Sequence, residues 1–360
     1  MVIISGPRQV GKTTLARGLF EKAQNLNFDD PEHRLIITKK QWLRNVPLVI
    51  LDELHKLTNW KRFLKAIYDV NGLSPKILLT GSARIDTFKK AGDSLAGRYL
   101  GFRLHPFCLK ELKGQMERQE IFSRLMNHGG FPEPFLANDS QVAARWRRSH
   151  LDTIIRQDLI DLEQVRQIQN IETLVELLKN KVGTPISYTS LAEDLQTNIH
   201  SIKRWLTILE HLYVIFKLPP WNKNIARAVQ KTPKYYFFDT GQLPDDLGAR
   251  FENNIALAIR KELNQREDLL GEKWTMSYMR NRDGLEIDFF IVGPKNQALM
   301  IEAKWKDSDP HKRFLTLAKD LRFKDIQAIQ LVGELANEKQ ITKNYTIRDA
   351  ATWLEDMPLS

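Results

Sequence analysis

The chain has 360 residues, 42% hydrophobic and 27% charged; this is ordinary globular composition with room for several domains, and no apolar run approaches the roughly 18 residues of a membrane span. Cys108 is the only cysteine, which excludes an internal disulfide and a cysteine-based metal site and points to a reducing, cytoplasmic setting without a visible signal peptide. The net charge of +10 is uneven: residues 1–140 carry 22 Lys+Arg against 14 Asp+Glu (+8), residues 141–245 carry 14 against 11 (+3), and residues 246–360 carry 18 against 19 (−1).

A basic front half suits anionic partners such as nucleotide or nucleic acid, whereas the neutral end argues against that part gripping DNA by itself. Val2–Ser5 reads as a strand, followed by a helix to about Lys22. Between them Gly6-Pro7-Arg8-Gln9-Val10-Gly11-Lys12-Thr13 has the G-x-x-x-x-G-K-[ST] spacing. Gly6 and Gly11 let the backbone curl so that successive N–H groups face phosphate oxygens. Thr13 and Thr14 open a helix whose N-terminus favours an anion. Lys12 reaches the β- and γ-phosphates of ATP, and the Thr13 hydroxyl holds Mg²⁺.

Asn25–Phe28 is a short predicted strand, and a helix is expected around Pro31–Trp42. Leu48–Leu51 is a continuous apolar run of the kind buried in a parallel sheet, and it ends in Asp52-Glu53. Downstream of a phosphate loop, that pair gives Asp52 to Mg²⁺ and Glu53 to the attacking water. Trp60–Tyr68 is helical, with Trp60, Phe63, Leu64 and Ile67 on one face. Lys76–Thr80 is another buried-type strand, and either Thr80 or Ser82 at its end could sense the γ-phosphate. Arg98 is a candidate for stabilising transferred charge, in cis or from a neighbouring subunit, or else a helix cap. Asn27 could hold Glu53 inactive through a hydrogen bond. The alternation of strands and helices implies an α/β fold with a parallel sheet.

From about Glu120 to Leu178 the pattern is helical, broken at Gly129-Gly130-Phe131-Pro132. Ser190–Leu195 and Ile199–His211 read as helix-turn-helix, with Val214–Leu218 as a wing strand. The second of these helices points His200, Lys203 and Arg204 to solvent, enough to touch phosphates but thin for base readout. Tyr235–Phe238 is a strand, and Phe251–Leu263 a helix.

Near the end, Leu285–Val292 and Leu299–Ala303 read as strands, and Asp288 interrupts the first. Glu302 and Lys304 are two apart on the second, so they face one side. If the strands pair, Asp288, Glu302 and Lys304 converge, with Glu252 as a further carboxylate. Two carboxylates can bind Mg²⁺ and a lysine can orient water against a phosphodiester, the pattern of restriction-type nucleases.

These motifs in order resemble the AAA+-like P-loop ATPases of bacteria and archaea that carry a C-terminal domain of unknown function. The resemblance rests on Gly6–Thr14, Leu51–Lys56, Leu79–Ser82, Ser94–Tyr99, Gly129–Pro132, Arg156–Asp158, Phe238–Gly241, Phe251–Asn253, and Glu286–Asp288 with Glu302–Lys304. It implies a P-loop ATPase domain at 1–120, a helical lid at 121–183 with Pro132 near the base, a winged helix at 184–245, and a restriction-endonuclease-like (PD-(D/E)XK) α/β domain at 246–360. In that family further residues usually precede the first strand and frame the base. Met1 lies almost in the strand here, which implies a misplaced start, a fragment, or a reduced base pocket.

The expected function is Mg²⁺-dependent ATP hydrolysis coupled to a DNA-associated, nuclease-like domain. The alternative is a nucleotide-switched module whose winged helix contacts DNA or a partner protein, with the nuclease-like domain as a non-catalytic docking surface; a homo-oligomer or a protein partner is a further expectation. A metabolite kinase is the third reading, and the Asp52-Glu53 pair and the added domains argue against it.

Overall fold

A computed structural model describes residues 1–71, 74–81, 95, 97–154, 168–221, 232–280, 286–294, 297–306, 309–310 and 326–358. They divide into two compact units: Met1–His105 with His211–Tyr213, and Pro106–Glu210 with Val214–Ser360. Residues of the expected lid, winged-helix and C-terminal sections share the second unit.

The first unit is built on strands β1 (Val2–Ser5), β2 (Gln24–Asn27), β3 (Leu48–Asp52), β4 (Lys76–Thr80) and β5 (Leu100–Arg103). All pair in parallel, in the order β2-β3-β4-β1-β5. Alternate residues of the apolar runs face opposite sides, which is why the runs are continuous. Ile3, Val49, Leu51, Ile77 and Leu79 pack in one cluster with Leu64 and Ile67 of helix α3 (Trp60–Asn71) and Ile37 of α2 (Pro31–Thr38). Ile4, Leu48, Ile50 and Leu78 pack in another with Ala16 of α1 (Lys12–Gly18). Helix α1 stops at Gly18, short of Lys22. Strand β5 has no clear sequence signal, because Leu100-Gly101-Phe102-Arg103 is only partly buried.

In the second unit, α4 (Leu109–Leu112), α5 (Arg118–His128), α6 (Pro132–Ala137), α7 (Ser140–Thr153) and α8 (Ile168–Lys179) come first. Then come α9 (Tyr188–Asp194), α10 (Ile199–His211) and an antiparallel pair, β6 (Ile215–Leu218) with β7 (Lys234–Phe237). Helix α11 (Leu247–Leu270) precedes β8 (Thr275–Arg280), β9 (Glu286–Val292), β10 (Ala298–Lys306), β11 (Ile326–Glu334), β12 (Lys339–Thr342), β13 (Tyr345–Asp349) and α12 (Ala350–Asp356). These strands form one mixed sheet in the order β12-β13-β11-β10-β9-β8. The β8-β9-β10 run is antiparallel, and β11 lies parallel to β10.

Candidate functional site

Two clusters of side chains concentrate polar chemistry, one in each unit. The first begins at the loop between β1 and α1. Gly6 (φ +150°) passes so close to Leu104 that a Cβ would run into its carbonyl oxygen, so only glycine fits. Gln9 (φ 59°) and Gly11 (φ 95°) also have positive φ, and α1 starts with no side-chain cap. The loop therefore turns its backbone N–H groups to one place, at a helix end without an internal partner. Lys12, 7% exposed, donates through its ammonium to the carbonyls of Gly6 (3.1 Å) and Pro7 (2.5 Å).

Strand order then decides who meets the loop. β4 lies between β1 and β3, with Ile4 beside Thr80 and Thr80 beside Asp52. The Thr80 hydroxyl donates to Asp52 Oδ1 at 2.5 Å, and the Thr13 hydroxyl donates to Asp52 Oδ2 at 2.9 Å. Thr80 is fully buried. Thr13 and Asp52, the pair expected to hold Mg²⁺, thus already touch, and this hard-oxygen donor set fits that ion. Ser82, the other sensor candidate, lies outside the described residues.

Glu53 follows Asp52 in a left-handed conformation (φ 56°), an uncommon one for a non-glycine residue. Its Oε2 lies 3.5 Å from His55 Nε2 and 3.9 Å from Lys56 Nζ. Burial pushes the Glu53 carboxyl above its usual range, opposed by the charge of Lys56. Asn27 does not hold Glu53 here: its Oδ1 accepts from the Asp29 amide at 2.9 Å, closing a turn after β2.

Arg98 is not brought to the loop. It precedes Leu100, which pairs with Val2 at the start of β1, whereas the loop follows Ser5, which pairs with Arg103. Arg98 Nε sits 3.1 Å from Asp69, and its guanidinium lies over the Tyr68 ring. The sheet register puts Arg98 at the end of β5 opposite the loop, so within this chain it does not sit at the phosphate site. A cavity of about 680 Å³ in this unit is lined by residues such as Met1, Leu19, Phe20, Tyr68 and Leu100. Lys12, Thr13, Asp52 and Glu53 do not line it, so it is separate from the phosphate chemistry.

Several motif residues of the second unit have structural partners. Arg147 Nε donates to Asp239 Oδ2 (3.2 Å), and its Nη2 donates to the His128 carbonyl (2.8 Å). A Cβ on Gly129 would strike Asp239, and one on Gly241 would strike Arg147. These contacts tie His128-Gly129 to Asp239 and Gly241. Pro132 opens α6. Asn253 is fully buried and clips β7: its Oδ1 accepts from Phe237 N (2.7 Å) and its Nδ2 donates to Phe237 O (3.0 Å). Arg156–Asp158 lies outside the described residues.

The second cluster is where β9 and β10 pair. Ile301 sits opposite Phe289, which sets Glu302 next to Asp288. Asp288 Oδ2 accepts from the Ala303 amide at 3.0 Å, and Lys304 Nζ lies 2.8 Å from Glu302 Oε1. The structure thus brings Asp288, Glu302, Lys304 and Glu252 together. It also adds groups that the linear pattern did not single out. Lys234 of β7, 1% exposed, puts its ammonium 2.6 Å from Glu286, 3.4 Å from Glu252 and 3.5 Å from Asp288. The Tyr236 hydroxyl donates to Glu252 Oε1 at 2.6 Å. A Cβ on Gly183 (φ +70°) would lie 2.6 Å from the same oxygen. Burial and the charge of Asp288 push the Glu252 and Glu302 carboxyls up to about 7. Burial would lower Lys234, but Glu252, Asp288 and Glu286 outweigh it and raise it above its usual range. The signal available in sequence was only a lysine opening an aromatic strand.

Residues 1–113 match the family described as "AAA domain", and residues 119–250 match a "Domain of unknown function (DUF8612)". An uncharacterised protein of Mycobacterium tuberculosis is 26% identical over 310 residues, covering 81% of this chain and 67% of that protein. One of Methanocaldococcus jannaschii is 23% identical over 363 residues, covering 94% and 79%. Among solved structures, the Aeropyrum pernix ORC1 protein in complex with DNA is 13% identical, covers 72% of this chain and 87% of that one, and has a TM-score of 0.32. A DNA replication initiation factor is 16% identical, covers 58% and 81%, and has a TM-score of 0.28. Overlaps that low carry no argument. Among the described residues no helix is long and apolar enough to cross a membrane. The match of residues 1–113 to the AAA domain and the geometry of the β1–α1 loop agree on a P-loop fold of the AAA type for the N-terminal part of the chain.

Proposed function

We propose that the first unit hydrolyses ATP and that the second unit is the effector it switches, in a cytoplasmic setting. The observation that carries this is the hydrogen-bonded series Thr13–Asp52–Thr80, with Glu53 next in the chain. The loop N–H groups and Lys12 bind and orient the phosphates. Glu53, raised by burial, accepts the proton of the attacking water, and the adjacent Thr80 reports the state of the phosphate to Asp52. Thr13 and Asp52 would hold Mg²⁺, which would supply charge neutralisation at the phosphate oxygens. The test is ATP turnover by the wild type and Lys12→Ala, with and without DNA. Turnover unchanged by the substitution would end this reading.

DNA is the favoured partner of the second unit. Support comes from α10, where His200, Lys203 and Arg204 are exposed while Ile202, Trp205, Leu206 and Leu209 are buried on the other face. Residues 246–360 are read as restriction-endonuclease-like. What supports this is the order of a long helix, an antiparallel β8-β9-β10 run and a fourth strand parallel to the third. Stimulation of ATP turnover by DNA, weakening with salt, is the expected result. Absence of DNA binding at low salt would move the reading to a protein partner.

A further inference from the structure

The nuclease-like reading of residues 246–360 implies a divalent cation between Asp288 and Glu302. The side chains present do not fit one. The Lys234 ammonium stands 3.5 Å from Asp288 Oδ1, while Asp288 Oδ2 is taken by the Ala303 amide. On the other side, Lys304 Nζ stands 2.8 Å from Glu302 Oε1. Glu252, which could supply a third ligand, is 3.4 Å from Lys234 and accepts from Tyr236. Among the described residues no group of three or more Asp, Glu, His or Cys side chains is arranged to hold a metal ion.

Lys234 is also not placed to step aside. It is 1% exposed, its ammonium lies over the Tyr278 ring at 5.4 Å, and it is 2.6 Å from Glu286. Its strand is clipped to α11 by both polar ends of Asn253. Withdrawing the ammonium would take from Glu252 and Asp288 the positive charge that lies 3.4 and 3.5 Å away. A divalent cation entering while the ammonium stays would sit beside a like charge in a partly buried site.

We infer that Lys234 is the resident cation of this cluster, standing where the nuclease-like fold implies a metal. The second unit then uses its carboxylates as an ion-paired joint between β7, α11 and the β9–β10 pair, and does not cleave phosphodiesters by a metal route. This rests on the nuclease-like reading only for the metal it implies, and is independent of ATP hydrolysis by the first unit.

The probe is Mn²⁺, titrated by electron paramagnetic resonance into the full-length, nucleotide-free protein. Wild type and Asp288→Asn are expected to bind alike, since any Mn²⁺ bound elsewhere is common to both. Lys234→Met is expected to gain a Mn²⁺ site that the wild type lacks, lost again when Asp288→Asn is added. Wild-type Mn²⁺ binding that Asp288→Asn removes would overturn the inference. So would Mg²⁺-dependent DNA cleavage by the wild type that is lost in Glu302→Gln, or a folded Lys234→Met chain that gains no site. If Lys234→Met does not fold, the comparison of wild type with Asp288→Asn decides alone. ATP turnover, sensitive to Lys12→Ala, is read separately and tests only the first unit.

Discussion

Thr80 shows how much one hydroxyl contributes. It is fully buried and bonds the carboxylate that also accepts from Thr13. Thr80→Val keeps the shape and leaves Asp52 one donor short, a loss of about 1–3 kcal/mol. Urea unfolding is expected to show that loss, and Mg²⁺–ATP affinity is expected to fall with it. Glu53 is held differently, by the longer contacts to His55 (3.5 Å) and Lys56 (3.9 Å). Glu53→Gln is expected to bind ATP normally and to turn over about 100- to 10,000-fold more slowly. Equal losses of binding and turnover would argue that Glu53 holds nucleotide rather than activating water. Lys12 with Thr13 and Asp52 with Glu53 were legible as candidates because each pair is a short local motif; the Thr13–Asp52 contact, across 39 positions, was not. The place of Arg98 was not legible either, since β5 after it has no clear sequence signal and its parallel pairing with β1 is set by tertiary contacts.

At the scale of elements, legibility followed burial. Strands β1, β3 and β4 are covered on both faces and read as continuous apolar runs. Strand β5 is half exposed, and the alternation it needs is weak over four residues. Helix α11 extends beyond the apolar stretch at both ends, because Asp246 caps its start and Gly271 its finish. Asn253 on that helix is the clearest case of a motif residue with a structural role. It satisfies both the N–H and C=O of Phe237 and bonds Thr240. Asn253→Ala is expected to cost roughly 2–4 kcal/mol by orphaning two buried backbone groups. Chemical denaturation followed by circular dichroism would measure it, and a change under about 0.5 kcal/mol would mean water replaces the amide.

For the whole molecule, the buried carboxylates set a pH dependence. Glu252 and Glu302 lie at about 7 in the folded chain against an ordinary 4.5, raised first by burial and then by Asp288. Between those values the folded protein holds more protons than the unfolded one, so stability falls as pH rises through about 7. Glu302→Gln removes one of the two groups and is expected to flatten that fall, gaining on the wild type from about pH 5 to about pH 8. Parallel urea midpoints for the two proteins across that range would show the absence of this coupling.

The sequence by itself determined the phosphate loop, the acidic end of β3 and the alternation that makes an AAA-type sheet, because each is a short run whose chemistry and burial are local. It also placed Glu302 and Lys304 on one side of a strand through the two-residue period. Only the tertiary structure decided that Thr80 lies between Thr13's partner and β1, that Arg98 sits at the far end of the sheet, and that Lys234 enters the carboxylate cluster. Those outcomes depend on strand order, on register and on which ammonium is buried with which carboxylate. They are set by contacts between residues tens to hundreds of positions apart, and no local pattern encodes them.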